Sequence, residues 1–518
     1  MACSLRAVLT WFFLTACVCL TAEAEELAEQ LAGLMDAPPY EHAHWGALFV
    51  DQDSGETLYE RQSKKLFAPA SVTKLYTVAA ALDTFGADHR FKTPVYRRGE
   101  LSDGGVLKGD FILVPSGDLT LGGRTSVAGE IAFKSGDHTY ANWSDDGEVT
   151  EENPLAGVDE LARQIAAAGL KKLDGDVIID DRLFSPIEST GSGPRKVQPV
   201  VLNDNVIDFV ITPGEKEEPA TVECRPESKL IRVKADVTTG DKSASTSITI
   251  RGDNGEYTVS GTIPAGRKPL VRHVEMTDAA ATLRGLFVES LRKAGVETTW
   301  EPSLTGSSKD LPRSDEYAGL TKIAELTSPP FSENARLVLK VSHNLHASTL
   351  PLLVDLHHGG KGTLAAGLKQ HRECFERIGV ETDQISFGGG AGGARSDYVT
   401  PAATVQLLRG MAKHKDFAAY QRALPILGVD GTLARSIGKE SPVHGKVLAK
   451  TGTLTWENTF SGRGLLQSKA LAGYMTTKQG KKVAFALFVN GVHMKDGVDT
   501  KRVGSDLAKV CEMLYEAQ

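Results

Sequence analysis

Leu75, Tyr76, Val78, Ala79, Ala80, Ala81 and Leu82 make a run that is apolar nearly all round, and a helix without a polar face is stable only when packed on every side. The chain must therefore wrap other layers around this one element. Pro69 precedes it, where a proline suits a helix start, and between the two stand Ser71 and Lys74. Residues three apart share a helix face, so a hydroxyl and an amine meet at the mouth of a buried element. Burial disfavours the charged form of an amine, and a neutral lysine can take a serine proton and so make the oxygen nucleophilic. Ser71 is the candidate nucleophile and Lys74 its base.

Serine and lysine at this spacing also occur by chance, usually as an exposed helix start, so their company decides. Ser342-His343-Asn344 and Lys450-Thr451-Gly452 follow downstream in that order. Taken singly, the first reads as a helix cap and the second as a strand entering a turn. Val447 to Leu454 reads as a strand in which Gly452 leaves room for another backbone to approach.

At 518 residues the chain exceeds one ordinary core, and two to four domains, one of them inserted, are expected. A hydrophobic share of 41%, a charged share of 24% and 52 glycines describe a folded chain rich in turns. A net charge of -8 without a basic run excludes nucleic acid and anionic membrane surfaces as expected partners. Residues 1–24 carry Arg6, the apolar run Ala7 to Leu20 and then Ala22-Glu23-Ala24, the pattern of a secretory signal cleaved after Ala24. Leu14-Thr15-Ala16-Cys17 also matches a lipoprotein box, which would make the protein a lipoprotein through Cys17. Export to the periplasm or cell envelope is expected. Beyond that segment Cys224, Cys374 and Cys511 are too few and too scattered for a disulfide framework; at most one bridge is possible, and buried free thiols are the better reading. His42, His44 and the His357-His358 pair lack companions at zinc-site spacing, so no metal and no cofactor are expected.

Along the chain, residues 25–36 read as an amphipathic helix with Leu27, Leu31 and Leu34 on one face, and a hairpin of Trp45 to Val50 and Thr57 to Tyr59 precedes the nucleophile helix. From Lys92 the texture changes to short period-two strands, including Val206 to Ile211, Leu230 to Ala235, Ser247 to Arg251 and Tyr257 to Thr262. Helical texture returns at Asp278. The glycine tract 388–393 lacks the Lys-Ser/Thr of a phosphate-binding loop and reads as a flexible loop. The architecture expected is α+β: a discontinuous catalytic domain of helices on an antiparallel sheet, residues 25–91 and 275–518. A β-rich insertion beginning at residue 92 is expected.

The ordered set S-x-x-K, S-x-N and K-T-G resembles the signature of penicillin-binding proteins and class A β-lactamases. With Ser116-Gly117-Asp118-Leu119-Thr120-Leu121, Asn203-Asp204-Asn205, residues 427–433 and Lys450-Thr451-Gly452-Thr453-Leu454, the chain resembles one family over most of its length. That family is the D-alanyl-D-alanine carboxypeptidases/endopeptidases (peptidase S13), class C low-molecular-mass penicillin-binding proteins similar to penicillin-binding protein 4. The resemblance implies a transpeptidase-like (β-lactamase-like) catalytic fold, split by an inserted β-rich domain that spans residues 92–125 and 200–274, with residues 126–199 nested within it. It implies acyl transfer on peptidoglycan stem peptides, β-lactams as covalent ligands, and no cofactor. Ser71 would attack, Lys74 would act as base, and Ser342 would relay a proton to the leaving amine. Asn344 would hold the substrate amide, and Lys450 would act electrostatically. Thr451, Gly452 and Thr453 would bind substrate along their strand, with the amides of Ser71 and Thr453 as oxyanion hole.

Three departures from the family pattern bear on substrate preference: Leu119 where proline is usual, Gly389 to Arg395 in place of a Gly-Ser-Gly-Leu-Ser-Arg loop, and an extension over residues 456–469. A serine β-lactamase and a non-catalytic cell-wall binding protein are the alternatives. The first is disfavoured by the large insertion, the second by three intact motifs. The oligomeric state is not indicated by sequence.

Overall fold

The computed structural model describes residues 25–518 apart from 307, 309 and 496. The expected signal and Cys17 lie outside the described residues. The chain divides into two compact units, one comprising the chain up to Asp83 with Thr190–Ser192 and Leu368–Gln518, the other Thr84–Ser189 with Gly193–Gly367.

The first unit is built on a five-stranded sheet of β1 (His44–Asp51), β2 (Thr57–Arg61), β3 (Val447–Asn458), β4 (Arg463–Thr476) and β5 (Lys482–His493), in the order β3-β4-β5-β1-β2. Every pairing is antiparallel. Trp45, Ala47 and Phe49 of β1 and Phe485, Leu487 and Val489 of β5 are all buried and share one core. The period-two rule puts these alternating residues on one face. That face is covered by the helix over residues 25–35, through Leu27, Leu31 and Met35, and by the helix Thr500–Ala517, through Val503, Leu507, Val510 and Leu514. Leu34 is only partly buried, because Met35 takes the inward place the sequence assigned to it. The helix Pro401–Met411 packs against β1 and β5.

The nucleophile element is not one continuous α-helix. Ala70 has φ 47°, which a right-handed helix cannot accommodate, so no regular helix continues back through it; a short 3₁₀ turn, Ala70–Val72, precedes the α-helix, which runs Thr73–Phe85. Every residue from Thr73 to Leu82 is buried, as the all-round apolar run requires.

The second unit holds the β-rich region. A six-stranded sheet includes Lys92–Leu101, Val106–Leu113 and Thr321–Thr327. Val206–Thr212 is the middle strand of one three-stranded sheet, and Glu256–Pro264 the middle strand of another. Helices Ala156–Ala167 and Ala279–Lys293 fill the same core as these strands. Asp278 caps the latter by accepting the Ala281 N–H at 2.9 Å. Residues 275–367, grouped with the catalytic sheet from composition, belong to this unit, since the 279–293 helix buries its apolar face among the inserted strands. Two further helices, Phe331–Lys340 and Asn344–His357, flank the S-x-N motif. Cys224, Cys374 and Cys511 are free thiols.

Phe485 is fully buried and stacks on Phe49 at 5.1 Å between ring centres. Phe485→Ala is therefore expected to cost about 3–5 kcal/mol and to lower the melting transition of the five-stranded unit. An unchanged thermal unfolding profile would contradict this account of the core.

Candidate active site

Ser71 sits in the 3₁₀ turn and is partly exposed, while Lys74 in the first helical turn is 0% exposed. The Lys74 Nζ donates to Ser71 Oγ at 2.8 Å and to the Ala391 carbonyl at 2.7 Å. Burial pushes the Lys74 amine down to about 7, with the Asp397 carboxylate opposing the shift. Near neutrality a substantial share of the amine is uncharged and in contact with the hydroxyl it must deprotonate, which meets both the distance and the pKa conditions for a general base.

The turn is held from the sheet. Ser468 Oγ of β4 donates to the Ala68 carbonyl at 2.6 Å, and Asn490 Oδ1 of β5 accepts the Ala68 N–H at 2.7 Å. A Cβ on Gly452 would lie 2.4 Å from the Pro69 carbonyl oxygen. Only glycine lets β3 approach the nucleophile turn this closely, as the sequence suggested. Lys450 is 0% exposed, and its Nζ donates to the Thr451 carbonyl at 2.8 Å. Burial holds its amine well below the ordinary lysine value, with the charges of Lys74 and Lys469 acting in the same direction. Thr451 Oγ1 donates to Thr432 Oγ1 at 2.9 Å, tying β3 to the 427–433 segment. Since β3 forms one edge of its sheet, it can accept an added strand.

The structure thus brings Ser71, Lys74, Lys450, Thr451, Gly452 and Thr453 together in the first unit. Ser342 and Asn344 are carried by the second. Ser342 has φ 64°, its carbonyl accepts the Tyr140 hydroxyl at 2.5 Å, and Asn344 begins the next helix.

Three contributors escaped the sequence reading. The glycine tract 388–393 is not a flexible loop: Asp397 accepts the N–H groups of Gly388 at 2.8 Å and Ala394 at 2.9 Å, and Thr77 Oγ1 donates to the Gly390 carbonyl at 2.7 Å. A Cβ on Gly392 would lie 1.9 Å from the Ala70 carbonyl oxygen, so the glycines serve close packing. Asp397, whose carboxyl burial raises to about 6, is the second contributor. The third is Lys469 on β4, whose Nζ donates to Thr453 Oγ1 at 2.9 Å and is pushed down to about 8 by burial. The register Thr453↔Lys469 is a property of the strand pairing, which no local motif announces.

A base with a pKa of about 7 loses its neutral form as pH falls, so acylation by a labelled penicillin is expected to slow about tenfold per unit below that value and to level off above it. Asp397→Asn removes a charge that favours protonated Lys74, and should move the midpoint to lower pH. A flat rate between pH 5 and pH 8, read by stopped-flow or gel labelling, would remove Lys74 from the role of base.

Comparisons with known proteins identify the family to which the chain belongs. Residues 27–510 match the model of the D-Ala-D-Ala carboxypeptidase 3 (S13) family. A D-alanyl-D-alanine carboxypeptidase from Actinomadura sp. (strain R39) is 28% identical over 499 residues, covering 91% of this chain and 82% of the relative. The D-alanyl-D-alanine carboxypeptidase DacB of Haemophilus influenzae is 25% identical over 499 residues, covering 92% of this chain and 91% of its own. Penicillin binding protein 4 of Haemophilus influenzae shares the fold at a TM-score of 0.67, with 21% identity, 94% of this chain and 99% of that one covered. The same protein has been solved complexed with a β-lactam, at a TM-score of 0.67, 20% identity and the same coverage of 94% and 99%. With nearly all of its length matched by the family model, the chain belongs to the D-Ala-D-Ala carboxypeptidase 3 (S13) family.

Proposed function

We propose that the protein cleaves peptidoglycan stem peptides ending in D-Ala-D-Ala, as a serine-type carboxypeptidase and/or an endopeptidase, through an acyl-enzyme on Ser71. β-Lactams would acylate the same oxygen. The observation that carries this is the 2.8 Å contact between Ser71 Oγ and a fully buried Lys74 in a chain of this family. In the first half-reaction Lys74 takes the Ser71 proton and Oγ bonds the penultimate carbonyl carbon. The C–N bond to the last residue then breaks, and a proton passes to the departing amine. Water next hydrolyses the ester, which frees the shortened peptide and restores Ser71.

The other roles rest on the family's motif order. Ser342 relays the proton to the leaving amine, Asn344 holds the substrate amide and helps orient Lys74, and Lys450 stabilises developing negative charge. The amides of Ser71 and Thr453 receive the oxyanion, a contribution typically worth on the order of 100-fold or more in rate. Substrate adds to the β3 edge, with Thr451 and Thr453 at its terminal carboxylate. Lys469 beside Thr453 supplies a cation there at neutral pH. The site as read uses no metal and no cofactor. The same reading places the mature protein in the periplasm or cell envelope, beginning at Glu25, or anchored through Cys17 by the lipoprotein route.

Two measurements on one sample test the reaction. The wild-type chain is expected to release D-alanine over many turnovers from a D-Ala-D-Ala peptide and to form a long-lived penicilloyl adduct, because a β-lactam's leaving amine stays tethered. Ser71→Ala should abolish both while remaining folded. Rapid penicillin hydrolysis without D-alanine release would instead identify a β-lactamase, and silence in both assays a binding protein. For the carboxylate, Lys469→Met is expected to raise KM about tenfold, the weight of one charge-assisted hydrogen bond. That rise should appear for a peptide with a free C-terminus and be absent for its C-terminal amide. Equal effects on both would remove Lys469 from carboxylate recognition.

A further inference from the structure

The S-x-N turn runs directly into a buried polar cluster that the reaction above does not use. Asp204 is 5% exposed, and its Oδ2 is fully engaged. It accepts Arg124 Nε at 2.9 Å and Nη2 at 2.7 Å, and meets His138 Nε2 at 2.9 Å. Its Oδ1 faces elsewhere, 3.0 Å from His343 Nε2 and 2.9 Å from His346 Nε2. Both imidazoles therefore converge on one carboxylate oxygen as close ion-pair contacts. His343 Nε2 and both ring nitrogens of His346 have no hydrogen-bond partner, although both side chains are 0% exposed. The two imidazoles stack with their centres 3.8 Å apart at 24°, so their Nε2 atoms approach one carboxylate oxygen side by side.

Two nitrogens and one oxygen, all within 4.8 Å of one another, thus converge, with two imidazoles sharing a single carboxylate oxygen. That is a poor arrangement for a hydrogen-bond network, since buried polar groups are ordinarily paired. It is a good one for a cation. Ligands of a tetrahedral ion bound at about 2.0–2.2 Å stand roughly 3.3 Å apart, close to the 2.9 and 3.0 Å separations seen. Imidazole nitrogen with a carboxylate suits zinc-class first-row ions, whereas magnesium and calcium prefer oxygen alone. The outer contacts fit as well, because Arg124 and His138 on Oδ2 orient the carboxylate, and His138 is itself fixed by Asp208 at 2.7 Å. Ligand-orienting partners of this kind are a regular part of metal centres. One contact would be given up. His343 Nδ1 accepts the His346 N–H at 3.4 Å, a long bond that ends when Nε2 binds an ion and Nδ1 carries the proton.

We propose that Asp204, His343 and His346 form a binding site for a divalent ion of the zinc class, which fixes the turn carrying Ser342 and Asn344. The site stands independently of the reaction assigned above. Sequence spacing did not suggest it, because its two histidines lie within and just after the S-x-N motif and their third partner lies in the distant Asn203-Asp204-Asn205 segment.

The test uses the full chain, stripped with a chelator and titrated with Zn²⁺ and with Co²⁺. Expected are one equivalent of either ion per chain, a rise in melting temperature with Zn²⁺, and Co²⁺ visible bands of tetrahedral intensity. His346→Gln should weaken Zn²⁺ binding by about 100-fold or more, and His138→Gln by the 10–100-fold typical of losing an outer partner. Failure of the wild-type chain to take up one equivalent overturns the proposal, whatever the folding of the variants. Uptake whose affinity is unchanged in His346→Gln places the ion elsewhere and overturns it equally.

Discussion

Removing the Lys74 amine from water is the constraint on which the catalytic unit depends. A buried ammonium without compensation is costly, and this chain meets the cost by lowering the amine's pKa to about 7 and by giving it acceptors that include Ser71 Oγ and the Ala391 carbonyl. The second acceptor exists because the 388–394 segment is folded back onto the helix, and that fold is fixed by Asp397 and Thr77. The first exists because the Ala70 backbone turns left-handed and sets Ser71 one 3₁₀ turn ahead of the helix. A base poised near neutrality is thus a result of packing as much as of residue identity.

In the second unit a different solution appears. Arg124, Asp137, His138, Asp204 and Asp208 are each no more than 5% exposed and joined by ion pairs and hydrogen bonds. Such networks are specific because each member fails without its neighbours. Asn203, Asp204 and Asn205 have φ values of 46°, 53° and 58°, three successive left-handed residues without a glycine, a conformation that persists only where the surroundings over-determine it. The Arg124 and His138 contacts supply that determination for Asp204.

The legible parts of the fold were those whose period or spacing is local. The buried helix, the hairpin before it, the period-two strands of the β-rich region and the return of helical texture at Asp278 could be read because each signal lies within a few residues of its effect. The three motifs could be ordered because they are short and rigid in type. What could not be read was set by pairing between distant segments. The Thr453↔Lys469 register and the role of Asp397 are of this kind, as is the meeting of Asp204 with His343 and His346. The glycine tract was misread for the opposite reason. Its composition suggests freedom, but a Cβ at Gly392 would strike the Ala70 backbone, so absence of side chains here signals contact instead of mobility. Helix Ala279–Lys293 also fell on the other side of the expected boundary, since hydrophobic texture tells that a helix is packed without telling against what.

The hairpin of β3 and β4 carries a register shift between Leu454 and Thr455. On one side of it lie Lys450 to Leu454, pinned by the sheet and by the nucleophile turn; on the other the strands continue to a tip between Asn458 and Arg463, where Phe460 is fully exposed. A bulge absorbs one residue of mismatch and redirects the strand, which uncouples the geometry of the two halves. The outer half can therefore be lengthened, shortened or fitted with a reporter group without transmitting a shift to Lys450. That makes the tip of this hairpin a part of the molecule free to diversify while the chemistry beside it stays fixed.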